Sequence, residues 1–303
     1  MDKNTNSMVD APQGTIKKSV VIIANPTASR FNPECLTKVA EHLQQHNCKV
    51  KLKLSQRTGE TAALCRTTNA DVVVIAGGDV SFNEAASALL ERRTNPKLAL
   101  IPFGTGNTLG NELCLPHDPK TIADLIVAGN SQPLYHGIAN GRAFFAVASC
   151  GFDAEIVHLL PYRLKRRLKK IAYLAYAIKL GLFRRSTEIS VETGGETYRA
   201  ASALITNCSH YGGGFTLVRE TSATKKGLVM VLLHSNSLWG LTCSAAKLIT
   251  GKVAKSPLFT ILPVEHVVIN SKRPTAVQID GEPYGGTPLH VETGHATLQI
   301  ICP

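Results

Sequence analysis

The sequence predicts two domains: an open α/β sheet over residues 17–132 and a mainly β-sandwich domain over residues 133–303. Two observations predict this division. Strand and helix patterns alternate in the first part, whereas short β-rich runs punctuated by glycine and proline dominate the second. A third observation is size: 303 residues, 44% of them apolar, are enough to bury two cores.

The first domain is predicted from short apolar runs that alternate with helical periodicity. The predicted strands are residues 20–24, 49–54, 72–76 and 98–101, and the predicted helices are residues 35–46, a segment from about Thr58, a segment after Thr105, and residues 119–128. Such alternation is typical of a doubly wound sheet.

In the second domain the apolar runs are short and closely spaced. They predict strands at residues 143–148, 188–192, 197–206, 229–234, 257–269 and 276–280, with helices near 163–185 and 237–250. Residues 1–16 are polar and are predicted to be a disordered lead-in without a secretory signal.

Composition excludes several classes of protein. No apolar run approaches the roughly 20 residues of a membrane-spanning helix. The net charge of +11 suits nucleic acid or an anionic membrane. With 6% aromatic residues and no RNA-binding signature, we expect no nucleic-acid partner. The eight cysteines form no C-x-x-C, which favours a reducing, cytoplasmic location over a disulfide or zinc site.

The most informative local feature is the turn at residues 76–84, AGGDVSFNE, between a buried strand and a helix. Gly77 and Gly78 allow a ligand to approach the backbone, and the helix N-terminus offers N–H groups to an anion. The spacing of Ser81 and Glu84 predicts a capping box. The alternative is a well-capped βα turn that binds nothing.

Two further polar turns follow predicted strands, at residues 102–108 (PFGTGNT) and 25–29 (NPTAS). The carboxyl ends of neighbouring strands in an open α/β sheet form one ligand-binding crevice. Three such turns at one edge predict a phosphate site. The chain has neither a Walker P-loop nor a G-x-G-x-x-G after its first strand.

Six motifs occur in a fixed order from about residue 18 to the C-terminus. They are Asn25-Pro26, Gly77-Gly78-Asp79-Val80-Ser81, Gly104-Thr105-Gly106-Asn107, Gly151-Phe152-Asp153-Ala154, Gly212-Gly213-Gly214 and Asp280-Gly281-Glu282. In this order the chain resembles the diacylglycerol kinase catalytic-domain family, which includes sphingosine and ceramide kinases and bacterial lipid kinases.

The resemblance implies an NAD kinase/phosphofructokinase-like first domain, a β-sandwich second domain and an active site in the cleft between them. It implies ATP and Mg²⁺ as cofactors, with no metal held by the protein beyond the Mg²⁺ that ATP carries. The implied ATP-binding residues are Asn25, Ser55, Gly77, Gly78, Asp79, Ser81, Asn83, Gly104, Thr105 and Asn107. It also implies that Asp280 or Glu282 is the general base and that Asp153 contacts the lipid head.

Two residues depart from the family pattern. Val80 replaces the third glycine of G-G-D-G-T, which is costly if that position needs a positive φ or a close approach of the phosphate. Lys226 stands where bacterial relatives carry an aspartate that binds a structural magnesium, so we expect that site to be lost.

Residues 163–185 combine apolar residues at helical spacing with many arginines and lysines and no acid. The pattern predicts a basic amphipathic helix that touches an anionic membrane transiently, on its inner face, or that packs its apolar stripe on the second domain.

The predicted function is ATP-dependent phosphorylation of a lipid hydroxyl, that of diacylglycerol, a sphingoid base, or a prenol or glycolipid. One alternative is a lipid- or nucleotide-binding regulator that lost turnover through Val80. A weaker alternative is an NAD kinase-like enzyme with a water-soluble substrate. Neither the lipid nor the oligomeric state follows from the sequence.

Overall fold

A computed structural model describes residues 18–92, 96–159, 188–235 and 237–303. The strands are β1 (Lys18–Ala24), β2 (Cys48–Leu54), β3 (Val72–Gly77), β4 (Lys97–Pro102), β5 (Ser131–Leu134), β6 (Gly137–Ala139), β7 (Arg142–Phe144), β8 (Val147–Gly151), β9 (Ile189–Thr193), β10 (Glu196–Ala200), β11 (Ser202–Thr206), β12 (His210–Tyr211), β13 (Phe215–Thr216), β14 (Leu228–Leu233), β15 (Phe259–Val264), β16 (His266–Ser271), β17 (Ala276–Ile279), β18 (Glu282–Gly286), β19 (Leu289–Thr293) and β20 (Leu298–Ile301). The helices are α1 (Pro33–Gln45), α2 (Glu60–Thr67), α3 (Asp79–Leu90), α4 (Thr108–Glu112), α5 (Pro119–Ala128), α6 (Phe152–Leu159) and α7 (Leu238–Ile249), and a 3-10 turn spans Val253–Lys255.

The first sheet is doubly wound, as the alternating pattern predicts. Its strand order is β2-β1-β3-β4-β20-β5, and β1 to β4 run parallel. Successive residues of β1 enter different cores. Val20 and Ile22 pack in the core that includes α1 and α5, whereas Val21 and Ile23 pack in the core that includes α3. Burial on both faces explains why β1, β3 and β4 contain continuous apolar runs, whereas the edge strand β2 alternates and is largely exposed.

The last strand, β20, returns to the first sheet. It lies between β4 and β5, parallel to β4 and antiparallel to β5. The predicted boundary between residues 132 and 133 therefore falls within β5, and residues 298–301 pack with the first domain instead of the second. A pairing across such a sequence separation leaves no local pattern in the chain.

The second domain is a sandwich of two six-stranded sheets, ordered β10-β9-β16-β19-β6-β7 and β15-β14-β11-β8-β17-β18. Both contribute side chains to one core, for example Val191 and Ile269 from the first and Ile205 and Met230 from the second. The predicted fold class is thus confirmed.

Three strands predicted as single are each two strands. The segments 143–148, 197–206 and 257–269 divide into β7 and β8, β10 and β11, and β15 and β16, and each pair splits between the two sheets. An apolar run that changes sheet within one or two residues looks continuous in sequence, because both parts face the same core. Helix α6 was not predicted, and the predicted helix at 163–185 lies outside the described residues.

No helix in the described ranges is both long and apolar enough to cross a membrane.

Candidate active site

The turns after β3 and β4 touch each other at two glycines. A Cβ on Gly104 would lie 2.6 Å from the Cα of Gly78 and 2.6 Å from Oδ1 of Asn107. A Cβ on Gly77 would lie 2.8 Å from the Cβ of Ser81. Real Cβ atoms do not approach this closely. The two turns can therefore meet only because Gly78 and Gly104 lack side chains, and Gly77 leaves room for Ser81 within its own turn.

The turn after β1 completes the group at the same edge of the sheet. Asn25 donates from Nδ2 to Oγ of Ser81 at 3.0 Å, and the hydroxyls of Ser29 and Thr105 lie 2.7 Å apart. Ser55, at the end of β2, is buried and donates its N–H to the Ala24 carbonyl at 2.9 Å. The three turns therefore converge, as their positions after parallel strands predict.

Asn107 shapes the last of these turns. Its φ is 50°, in the left-handed region that asparagine tolerates, and its Nδ2 donates to the Pro102 carbonyl at 2.9 Å. This bond closes the loop that holds Gly104 and Thr105 at the carboxyl end of β4.

The capping box predicted for Ser81 and Glu84 is wrong. Helix α3 begins at Asp79 with Gly78 as its N-cap, and Glu84 accepts from the Gly59 N–H at 3.0 Å. Ser81 lies inside the first turn, where it accepts from Asn25. The helix thus begins three residues earlier than the cap preference of serine predicts.

The N-terminus of α3 offers main-chain donors at this edge. The first intrahelical bond runs from the Phe82 N–H to the Gly78 carbonyl, so the N–H groups of Asp79, Val80 and Ser81 precede it. Such groups, together with the helix dipole, favour an anion.

Val80 occupies an ordinary helical position. It is the second residue of α3, and it is not among the five described non-glycine residues that have a positive φ. A glycine is therefore not required there by the backbone. The valine side chain is 37% exposed, so its effect is confined to the volume it occupies beside the turn.

We expect Val80→Gly to leave ATP affinity unchanged or to tighten it, because the change removes side-chain volume without relieving strain. Thermal stability should fall slightly, by up to about 1 kcal/mol, because glycine is a poor helix former. Isothermal titration with ATP and a melting curve measure both effects. Weaker ATP binding would show instead that valine is a working part of the pocket.

Gly104→Ala should disrupt the contact between the turns. The added methyl group meets backbone at 2.6 Å, and overpacking of this kind costs about 1–3 kcal/mol. We expect weaker ATP binding together with a lower melting temperature. Gly214→Ala is the control, because its Cβ would have no neighbour nearer than 4.0 Å. Equal behaviour of the two variants would contradict the role given to the contact.

Asp79 holds the two turns together through its carboxylate. It accepts from the N–H of Thr108 at 3.1 Å and of Leu109 at 3.3 Å, at the start of α4. Burial raises the pKa of Asp79, those bonds oppose the rise, and the charge of Asp280 adds to it. The carboxylates of Asp79 and Asp280, one from each domain, are thus close enough for their charges to interact.

Asp280 is saturated with hydrogen bonds. Its Oδ1 accepts from the N–H groups of Ala146 and Val147, each at 2.9 Å. Its Oδ2 accepts from the Phe145 N–H at 2.9 Å and from Nδ2 of Asn83 at 2.7 Å. A carboxylate has about four lone-pair sites, so all are used. Burial raises the pKa of Asp280, and these bonds oppose that rise.

Asn83 therefore links the domains. Its side chain reaches from α3 to Asp280 and to the Ala143 carbonyl, which it meets at 3.1 Å. The resemblance assigns Asn83 to the nucleotide, whereas in the structure its amide joins the phosphate-turn helix to the acidic turn of the second domain.

Glu282 differs from Asp280 in what its oxygens contact. Its Oε2 accepts from Nη2 of Arg142 at 2.8 Å, and the side chain is 37% exposed. Among the described residues its Oε1 accepts no hydrogen bond. Arg142 also lies over the Tyr284 ring, 5.9 Å from its centroid, which steadies the guanidinium. Glu282 thus keeps one oxygen for a ligand.

Asp153, in the first turn of α6, belongs to a polar cluster that ends at the same acidic turn. It accepts from the Ser149 hydroxyl and from Nε2 of Gln278, the latter at 3.2 Å. Gln278 is 1% exposed, and its Oε1 accepts from the Gly281 N–H at 2.7 Å. Burial raises the pKa of Asp153, and the two side-chain bonds oppose the rise.

Sequence reasoning missed Gln278 and Arg142. A polar residue within the apolar run 276–279 was the available signal for Gln278, because a buried amide needs partners. Nothing local marked Arg142, whose partner is distant in sequence.

The three-glycine motif contacts the Gly104–Asn107 turn from the second domain. A Cβ on Gly213, whose φ is 99°, would lie 2.9 Å from the Gly106 carbonyl oxygen, and the Gly213 carbonyl accepts from Nδ2 of Asn111 at 2.9 Å. Close by, Glu112 accepts from Ser209 and His210. Burial on its own would raise the pKa of Glu112, but the hydrogen bonds outweigh it and the pKa is lowered.

In the described ranges no three or more histidine, cysteine, aspartate or glutamate side chains lie together as metal ligands would. Lys226 is exposed on the turn before β14. The loss of the structural magnesium site stays a prediction.

Comparisons with known proteins agree with this arrangement. The family model of the diacylglycerol kinase catalytic domain matches residues 19–138. The YegS C-terminal NAD kinase beta sandwich-like domain matches residues 146–302, more than half of the chain.

Full-length relatives share the same extent. The chain is 26% identical to a diacylglycerol kinase of Bacillus subtilis over 286 residues, covering 89% of this chain and 91% of the relative. It is 25% identical to one of Staphylococcus aureus over 278 residues, covering 89% and 88%. A solved structure of a diacylglycerol kinase from Bacillus anthracis has the same fold, with a TM-score of 0.74, 18% identity and coverage of 95% and 98%. With its six ordered motifs, its two matched domains and its convergent glycine turns, the chain belongs to the diacylglycerol kinase catalytic-domain family of lipid kinases.

Proposed function

We propose that this protein transfers the γ-phosphate of ATP to a lipid hydroxyl. The observation that carries the proposal is the meeting of three glycine-rich or polar turns with the acidic turn of the second domain, joined by the 2.7 Å bond from Asn83 to Asp280. Relatives named diacylglycerol kinase favour diacylglycerol as the acceptor over a sphingoid base, a prenol or a glycolipid.

The residues present suit ATP. The contact of Gly78 with Gly104 leaves a surface without side chains, and the N-terminus of α3 supplies N–H donors to the phosphates. The other residues that we assign to the nucleotide are Asn25, Ser55, Gly77, Asp79, Ser81, Thr105 and Asn107. Mg²⁺ carried by ATP would neutralise charge that develops on the transferred phosphate, as in other phosphotransferases.

Among the two acids of the D-G-E turn, we assign the general base to Glu282. Its unoccupied Oε1 can accept the proton of the lipid hydroxyl as the lipid oxygen attacks the γ-phosphorus. Arg142 fixes the other oxygen and the orientation of the carboxylate. Asp280, whose lone pairs are all used, holds the turn in place and connects it to α3.

We assign Asp153 to the polar head of the lipid. The side chain of Gln278 joins Asp153 to the D-G-E turn, because it donates to Asp153 and accepts from the Gly281 N–H. A lipid head bound at Asp153 would therefore have a fixed position relative to that turn. Substrate positioning of this kind supplies much of the rate in phosphoryl transfer.

The rival proposal is a regulator that binds nucleotide or lipid without turnover. Its support is the loss of a glycine at Val80. The position of Val80 inside α3 argues against backbone strain there, which leaves the space that the valine side chain takes from an approaching phosphate.

A panel assay tests the proposal. Labelled ATP and Mg²⁺ are incubated with diacylglycerol, a sphingoid base, a prenol, a glycolipid and NAD, and the phosphorylated products are separated. We expect label in a lipid, with diacylglycerol the best acceptor. Label in NAD alone would support the NAD kinase-like alternative, and label in none of the acceptors would support the regulator.

A further inference from the structure

Helix α7 presents an unusual exposed surface. Leu238, Trp239 and Ile249 are 38%, 78% and 60% exposed, and Trp239 is the single tryptophan of the chain. The opposite side of the helix is buried through Gly240, Leu241 and Ser244. Single exposed apolar side chains are common, but several large ones on one helix mark a candidate interaction surface.

The exposed residues form one continuous face. At 3.6 residues per turn, the six positions involved cover an arc of about 120°. They are Leu238, Trp239, Thr242, Ala246, Ile249 and Thr250, none of them charged. We call these six residues the α7 face.

Three lysines are close to this face in the chain, and acids are absent from the same stretch. Lys247 lies in the last turn of α7, and Lys252 and Lys255 follow as exposed residues. Residues 238–264 contain no aspartate or glutamate. A tryptophan and aliphatic residues flanked by lysines are typical of helices that lie in the interface of an anionic membrane.

The position of α7 connects it to the active site. The helix contacts β13 of the β12–β13 hairpin, and just beyond its end a Cβ on Gly251 would lie 4.0 Å from the Thr216 Cβ. The turn of that hairpin, Gly212–Gly214, contacts Gly106 of the phosphate turn. One hairpin therefore separates the α7 face from the nucleotide edge.

We propose that the α7 face docks the protein on a phospholipid bilayer that contains anionic lipid. Trp239, Leu238 and Ile249 enter the headgroup–acyl boundary while the three lysines meet the phosphates. The proposal rests on the proposed function only in that a lipid acceptor resides in such a bilayer. A second copy of this chain is a poorer occupant, because the lysines and the net charge of +11 repel a like surface.

The single tryptophan reports on this contact directly. Its fluorescence emission is measured as the unmodified protein is titrated with vesicles of phosphatidylcholine alone or mixed with phosphatidylglycerol. We expect a blue shift with the mixed vesicles that declines as salt is added, because the lysine contribution is screened. Vesicle binding without a blue shift would overturn the proposal and assign docking to another surface, such as the basic segment 163–185.

Variants test the surface by co-sedimentation with the mixed vesicles. Trp239→Ala with Ile249→Ser should weaken binding about tenfold or more, since each apolar side chain contributes substantially to partition. Lys252→Ala with Lys255→Ala should weaken it and flatten the salt dependence. The matched control is Lys38→Ala with Lys120→Ala, which removes two exposed lysines that already pair with Glu34 and Asp124. Equal losses in both lysine pairs would contradict a local patch, as would unchanged binding of Trp239→Ala with Ile249→Ser.

Activity separates this proposal from the proposed function. The Trp239→Ala, Ile249→Ser variant should phosphorylate a dispersed short-chain diacylglycerol like the unmodified protein, but act poorly on diacylglycerol in vesicles. An unmodified protein that docks with a blue shift yet phosphorylates no lipid would leave the docking surface standing and refute the kinase. A variant that loses both activities equally would refute the docking role.

Discussion

Glu282→Gln is expected to lower turnover on the lipid acceptor by about 10²–10⁴-fold, the usual contribution of a general base. The amide keeps the shape of the side chain and can still accept from Arg142, so folding should persist. ATP affinity should be unchanged, because the base acts on the lipid hydroxyl. Steady-state kinetics with saturating ATP, together with ATP titration, measure the two quantities separately.

Glu188→Gln is the matched control for this prediction. It also removes a carboxylate paired with an arginine, Arg199 at 3.4 Å, but on an exposed edge of the sandwich. Exposed pairs of this type contribute little, so normal turnover is expected. Near-normal turnover of Glu282→Gln on the same lipid would place the proton acceptor elsewhere, with Asp79 the next acid to test.

Asp280→Asn is expected to destabilise the protein. Each carboxylate oxygen of Asp280 accepts two hydrogen bonds. In the variant, an NH₂ group replaces one of these oxygens, so donors face the donors of the main chain or of Asn83. Unsatisfied buried polar groups cost about 1–3 kcal/mol each, so urea unfolding should shift by that order. Turnover should fall as well, because the D-G-E turn loses its connection to α3.

Asp124→Asn serves as the comparison, since Asp124 is exposed and makes one ion pair with Lys120. The family resemblance alone leads one to expect that an amide at Asp280 spares folding, and the four hydrogen bonds contradict that expectation. An Asp280→Asn protein as stable as the parent would show that the carboxylate is less engaged than its geometry indicates. The double variant Asn83→Ala, Asp280→Asn should lose less free energy of unfolding than the sum of the two single losses, because the two residues share one hydrogen bond.

Local sequence was sufficient for the first sheet and for the convergence of the three turns. The buried strands β1, β3 and β4 have continuous apolar runs, and the polar or glycine-rich turn after each of them is visible without a structure. The predictions for Val80 and for the capping box at Ser81 show the limit of local sequence. Whether a residue is helical depends on where the preceding turn ends. Here the turn ends at Gly78, the residue that contacts Gly104, and α3 begins directly after it.

Long-range features could not be predicted. β20 joins the first sheet from the far end of the chain, and the strands of the sandwich change sheet within one or two residues. The roles of Asp280 and Glu282 look alike in the sequence D-G-E. They separate only when the main chain of residues 145–147 and the side chain of Arg142 are in place. Gln278 belongs to the same class, since its partners Ser149 and Gly281 come from different strands and turns.

We expect this chain to turn over a lipid substrate despite Val80. The most direct measurement counts turnovers. Purified protein and its Glu282→Gln variant are incubated with γ-labelled ATP, Mg²⁺ and vesicles that contain diacylglycerol, and labelled lipid is quantified per enzyme molecule over time. We expect each molecule of the unmodified protein to label many lipid molecules. The variant should label at least about a hundredfold fewer in the same time. ATP binding by the unmodified protein without labelled lipid, on diacylglycerol or any other lipid alcohol, would contradict it.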